Sequence, residues 1–232
     1  MDLPKKLQDK LQKRIKNESL RKLPSELDLI DFSSNDYLGL SQDINVFQRA
    51  HAFLIELEIQ QNGATGSRLI SGNHSLFARV EGFLAEFHKA ESALVFNSGY
   101  DANIGFFSSI PQRGDVILFD ELAHASIRDG ITMSNAKSYK FKHNDLENLE
   151  MLLKRVTSSG IEKSHHNEIF IVTESVFSMD GDAPNLKKTS ELATTFGAHL
   201  IIDEAHAVGV YGNQGVGLVQ QEKVDVFARI IT

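Results

Sequence analysis

The chain has 232 residues, no cysteine, a charged share of 24% and a formal net charge of −7. An apolar share of 41% can bury one sizeable core, and the acidic balance argues against a general nucleic-acid binder. Without cysteine there is no disulfide framework and no thiolate metal site, which fits a reducing, cytoplasmic setting. No apolar stretch approaches the ~18 residues that a membrane span needs.

Near the start, Leu3, Leu7, Leu11 and Ile15 recur at helical spacing among lysines. Such a basic helix suits a membrane surface, but a docking helix covering part of the fold is the preferred reading. The basic stretch lacks an apolar core, so a secretory signal is not expected. Residues 27–32 read as a short strand, and NDYLGL at 35–40 as a polar turn with apolar anchors. Residues 1–40 are thus read as an N-terminal helix-and-strand segment, and 41–232 as one large domain. Val46, Phe47, Ala50, Phe53, Leu54 and Leu57 mark a helix within 43–59. The glycine-spaced loop NGATGSRLISGN follows at 62–73. After it comes a helix with Leu76, Phe77, Val80, Phe83, Leu84 and Phe87 on one face.

Beyond residue 90, strand-like and helical runs alternate. Strands are predicted at 93–96, 116–119, 138–141, 169–173, 200–202 and 226–231. Leu146, Leu149, Leu152 and Leu153 give one intervening helix its apolar side. Leu186, Leu192, Ala193 and Phe196 do the same for a helix opening near Pro184, where proline is tolerated. This alternation predicts a doubly wound α/β domain with a mostly parallel sheet. Four predicted strands end in polar clusters: Asn97-Ser98-Gly99, Asp120-Glu121, Glu174-Ser175 and Asp203-Glu204. Ligands in such sheets bind outside the carboxyl ends of the strands, so the four clusters are expected to line one rim.

The run Asp203-Glu204-Ala205-His206 spells a helicase-type Walker B box, but no G-x-x-x-x-G-K-[ST] phosphate loop accompanies it. His199, Asp203 and His206 make a poor metal set, because alternation along a strand works against their convergence and no zinc signature supports them. No metal is expected. Taken alone, Asp203 capping a turn with His206 packed beside it explains the segment. Gly209, Gly212, Gly215 and Gly217 suit turns needing positive φ. At Asn97-Ser98-Gly99-Tyr100 a strand hands over to a helix, whose free backbone N–H groups could hold an anion. A plain strand-to-helix turn explains that stretch equally well.

Taken together, NDYLGL, GATGSRLISGNH, FNSGYDAN, DELAHASIRDG, FKHNDLENLE, TESVFSMDGDAP and IIDEAHAVGVYGNQGVG follow the order of motifs in the α-oxoamine synthases. Residues 35–232 resemble that branch of the fold type I pyridoxal-phosphate (PLP) enzymes. The resemblance implies a three-layer, PLP-dependent transferase-like large domain after an N-terminal helical segment, with a C-terminal small domain absent from this chain. It also implies decarboxylative condensation of an amino acid such as L-alanine with an acyl thioester. The expected assembly is a homodimer with active sites near the interface, with no nucleic-acid or membrane partner.

The roles that the resemblance implies are specific. Asp203 would bond the protonated pyridine nitrogen of PLP, His124 would lie over the ring face, and His206 and Ser178 would approach its phenolic oxygen. His124, Asp203 and His206 form the implied catalytic set. Gly99 and Tyr100 would offer backbone N–H groups to the phosphate, and Thr232 its hydroxyl. Arg21, Asn35 and His124 would face substrate, while Arg68 and the glycines of 62–73 would serve subunit packing. The family's cofactor-bearing lysine stands three places past the threonine, but Thr232 is the last residue here and Lys223 lies in no such context. The expectation is therefore an N-terminal portion of such an enzyme. The alternatives are another member of the branch, using glycine or serine, and a non-catalytic partner subunit without the lysine.

Overall fold

A computed structural model describes residues 3–21, 23, 30–158 and 167–232, and the chain divides into two units, Met1–Asn35 and Asp36–Thr232. In the first unit the leucine spacing forms helix α1 (Lys5–Lys16), with Lys13, Arg14 and Lys16 in its last turn, where cations favour the helix dipole. Half of the strand predicted at 27–32 lies outside the described residues, and residues 30–32 carry no strand.

The second unit opens on two helices. Asp43 caps α2 (Ile44–Glu56), its carboxylate accepting the Asn45 and Val46 N–H groups at 2.7 and 3.3 Å. The glycine loop then leads into α3 (Ser75–His88). Gly72 in that loop leaves no room for a side chain, because a Cβ would lie 1.8 Å from the Gly66 carbonyl oxygen. Arg68 ties the loop to α3 by forking onto the Glu81 carboxylate at 2.6 and 2.9 Å. Its guanidinium also lies 4.1 Å from the centre of the Phe77 ring.

Five strands form one parallel sheet in the order β2-β1-β3-β4-β5. They are β1 (Val116–Asp120), β2 (Lys137–Phe141), β3 (Ile169–Glu174), β4 (His199–Asp203) and β5 (Ala228–Ile230). Each falls on a predicted strand, β5 being shorter than expected. Residues 93–96 are a correction: they carry no strand and join none among the described residues. The Val95 N–H donates to the Glu81 carboxylate at 2.9 Å instead of to a neighbouring backbone, so the apolar run there belongs to the loop-α3 assembly.

Helices α4 (Gly99–Ser109), α5 (Ala125–Met133), α6 (Leu146–Ser158), α7 (Leu186–Thr195) and α8 (Leu218–Glu222) complete the three layers. The period-2 alternation of the strands divides the core into two. Val116, Leu118, Ile169, Ile171, Leu200 and Ile202 pack with Leu149 and Leu153 of α6, Leu186 of α7 and Val219 of α8. The alternate residues Ile117, Phe170, Val172 and Ile201 pack with Phe107 of α4 and Ile127 and Ile131 of α5. Each large apolar side chain buried this way contributes roughly 1.5–3 kcal/mol. Because the strands are parallel, their carboxyl ends share one edge. Among the described residues no helix is long and apolar enough to cross a membrane.

Candidate active site

The same alternation decides where each acidic strand end points. Asp203 follows Ile201, and Glu174 follows Val172, onto the α4/α5 face. Asp120 follows Leu118 onto the α6 face, and Glu204 follows Ile202 toward α8. The rim expected from sequence is therefore divided between the two faces, and the α4/α5 side gathers the candidate site.

Asp203 ends β4 and is only 5% exposed. Its Oδ1 accepts the Ala205 N–H at 2.9 Å, and its Oδ2 accepts the Asn103 side-chain amide at 2.9 Å. Asn103 lies in α4 one helical turn past Gly99, so the start of that helix stands about 6 Å along the axis from the Asp203 contact.

Ser98 caps α4 and accepts the Asp101 N–H at 3.0 Å, leaving the Gly99 and Tyr100 N–H groups without a partner among the described residues. Thr232, two residues past β5, is pressed against Gly99: a Cβ on Gly99 would lie 2.1 Å from the Thr232 hydroxyl oxygen. Free helix N–H groups beside a hydroxyl make an anion site. The Tyr100 side chain turns elsewhere, its hydroxyl donating to Asp129, so Tyr100 would serve through its backbone.

His124 caps α5, with its ring Nδ1 2.7 Å from the Ser126 hydroxyl. Its backbone N–H donates to Glu174 Oε1 at 2.6 Å. Burial pushes the Glu174 carboxyl up to about 7, the nearby Asp203 charge adds to the rise, and the His124 N–H opposes it. His206 sits in the turn after β4, its Nδ1 2.7 Å from the Tyr37 hydroxyl. Ser178 lies exposed in the turn following β3. Arg21 and Asn35 belong to the first unit and are both exposed.

Two clusters lie apart from this group. Fully buried Asp120 faces His143, whose Nδ1 is 2.9 Å from Asp120 Oδ1 and whose Nε2 is 2.8 Å from Asp182 Oδ2. Burial disfavours the charged ring, but the hydrogen bonds and charges of Asp120 and Asp182 outweigh it and raise the His143 pKa. Glu204, also fully buried, accepts the Val219 N–H at 3.0 Å and lies 3.8 Å from Arg229; burial raises its pKa. Neighbouring acids thus divide their work, Asp203 facing the site and Glu204 fastening α8. The metal set weighed in the sequence does not assemble: His199 opens β4 and Asp203 closes it, roughly 13 Å apart along the strand. Sequence reasoning did not single out Tyr37, Asn103 and Ser126 as site residues, although all three are polar and lie within the quoted motifs, and Glu174 entered only as part of a strand-end cluster.

These groups gather at the carboxyl edge of an α/β sheet, and residues 27–229 match the family Aminotransferase class I and II. The chain belongs to that family. It is similar to a putative 8-amino-7-oxononanoate synthase from Methanococcus vannielii, at 42% identity over 228 residues covering 97% of this chain and 58% of the relative. The solved 8-amino-7-oxononanoate synthase from Francisella tularensis is similar at 30% identity and a TM-score of 0.65, covering 85% of this chain and 51% of that one. A serine palmitoyltransferase from S. paucimobilis with a bound PLP–myriocin aldimine is similar at 27% identity and a TM-score of 0.79, covering 95% and 56%. The chain therefore spans little more than half the length of these relatives.

Proposed function

We propose that these residues form the PLP-binding part of an α-oxoamine synthase of the 8-amino-7-oxononanoate type. The reaction would condense L-alanine with pimeloyl-CoA or a pimeloyl carrier protein, losing carbon dioxide, as a step of biotin biosynthesis. The observation that carries this reading is the buried Asp203 carboxylate placed one helical turn from the paired Gly99–Thr232 anion cradle. A cationic pyridine nitrogen and a phosphate are the two ends of PLP, and the donor set fits both. When bound, PLP supplies an electron sink for the carbanion derived from the amino acid.

The residues would then act as follows. Asp203, positioned by Asn103 and the Ala205 N–H, accepts the ring-nitrogen proton in a charge-assisted hydrogen bond. Gly99 and Tyr100, through their N–H groups, and Thr232, through its hydroxyl, hold the phosphate. His124 covers the ring face and orients substrate. His206, backed by Tyr37, and Ser178 approach the phenolic oxygen. The active assembly would be a cytoplasmic homodimer with its sites near the interface.

The likeness to serine palmitoyltransferase supports a second reading within the same branch, with serine as the amino acid. Protein from the complete coding sequence should be assayed with alanine, glycine and serine against pimeloyl-, acetyl- and palmitoyl-CoA. Thiol release selective for alanine with pimeloyl-CoA supports the proposal. Preference for serine with palmitoyl-CoA reassigns the substrate, and release from none of the pairs overturns the reading.

A further inference from the structure

Asp203 and His124 are joined by a buried chain of hydrogen bonds. Asn103 and Ser126 are 2% and 1% exposed. The Asn103 amide nitrogen lies 2.9 Å from Asp203 Oδ2 and 3.0 Å from Ser126 Oγ, and Ser126 Oγ lies 2.7 Å from His124 Nδ1. The Ser126 backbone N–H also points at Nδ1, at 3.3 Å.

The direction of every proton in this chain follows from its first member. A carboxylate only accepts, so the nitrogen of the Asn103 amide faces Asp203. The opposite orientation would set the amide oxygen against Asp203 Oδ2, acceptor against acceptor. With its nitrogen so placed, the amide gives one hydrogen to Asp203 and the other to Ser126 Oγ. Its Oδ1 is left buried without a partner among the described residues, a cost that only a strong orienting contact sustains. Ser126 Oγ accepts from Asn103 and has one proton to give, and with the Ser126 backbone N–H already aimed at His124 Nδ1 at 3.3 Å the hydroxyl proton turns to the same nitrogen. That nitrogen is therefore an acceptor, and the neutral imidazole carries its hydrogen on Nε2.

We infer that Asn103, acting through Ser126, is a positioning residue that transmits the polarity of Asp203 to His124 and fixes that ring as the Nε2–H tautomer. This rests on the reading of Asp203 and His124 as the groups flanking the cofactor ring. The consequence for the site is that His124 presents a donor, not an acceptor, to whatever lies over the ring. Asn103 touches neither substrate nor cofactor; it sets the state of a residue that does.

The test reads the tautomer directly, in the chain without any ligand. Long-range proton–nitrogen correlation spectra of 15N-histidine-labelled chain, with the His124 signals assigned by His124→Gln, should show the Nε2–H tautomer. Asn103→Asp should reverse the chain. The new carboxyl oxygen accepts the Ser126 proton, Ser126 Oγ then accepts from Nδ1 at 2.7 Å, the longer 3.3 Å contact of the Ser126 backbone N–H gives way, and His124 becomes the Nδ1–H tautomer. Should that variant fail to fold, Asn103→Leu is the second probe and should give a mixture of tautomers. An Nδ1–H ring in the parent chain, or an unchanged tautomer in a folded variant, overturns the inference. Titration of the same samples with pyridoxamine 5′-phosphate separates the two readings. A predicted tautomer in a chain that binds no ligand overturns the cofactor site and leaves the relay, whereas binding with the wrong tautomer overturns the relay alone.

Discussion

Replacing Glu174 with glutamine should make the chain more stable, chiefly at higher pH. Glu174 is buried, with Asp203, Asp120 and His143 close enough to act on its charge, and its carboxyl is raised from 4.5 to about 7. The unfolded carboxyl ionises near 4.5 and the folded one near 7. Between those values the native state holds a proton that the unfolded state has lost, so stability falls as pH rises through the window and stays low above it. At 1.36 kcal/mol per unit, the full penalty is about 3 kcal/mol. Glutamine cannot ionise, yet its side-chain carbonyl can still accept the His124 N–H, now at 2.6 Å from Glu174. Urea unfolding followed by circular dichroism at pH 5 and pH 8 measures the difference. The variant should exceed the parent by no more than about 1 kcal/mol at pH 5 and by about 3 kcal/mol at pH 8. Asp203, Asp120 and His143 are common to both proteins and largely cancel. A gap independent of pH, or one that favours the parent at pH 8, would refute the reasoning.

Gly99→Ala forces a methyl group into the space of the Thr232 hydroxyl, 2.1 Å away. It should weaken pyridoxamine 5′-phosphate binding about tenfold or more, while binding of unphosphorylated pyridoxamine, measured by calorimetry, changes little. His143→Leu leaves fully buried Asp120 without its imidazole partner and should cost about 2–4 kcal/mol in urea unfolding at pH 6. Because the folded His143 pKa is raised above 6.5, its contribution is fully present below that value and is lost as pH rises through the raised one. The penalty of His143→Leu should therefore shrink at pH 9, and an equal penalty at both pH values would contradict the ion pair.

Much of the sheet is legible in the sequence because strands buried on both faces must be apolar throughout. The runs at 116–119, 169–173 and 200–202 have this character, and each became a strand. Residues 93–96 have it too, and what separates them is a side chain: Glu81, held by Arg68, takes the Val95 N–H that a sheet would have used. The acidic ends of β1, β3 and β4 were visible, but not their division between faces, which depends on whether each acid falls on an odd or even step from the core residues. Asp120 and Asp203 look alike in sequence and point to opposite layers. Asn103 was present only as the last letter of FNSGYDAN, because its partner Asp203 lies 100 positions away. No local pattern encodes a bond of that span.

The central claim is that Asp203 and the Gly99–Thr232 cradle hold opposite ends of one PLP-like ligand. Calorimetric titration with pyridoxamine 5′-phosphate tests it most directly, since the amine cannot form a Schiff base with surface lysines. The account predicts saturable one-to-one binding, weakened about tenfold or more by Asp203→Ala through loss of a charge-assisted hydrogen bond of roughly 1.5–3 kcal/mol. No saturable binding, or binding indifferent to Asp203→Ala, would contradict it.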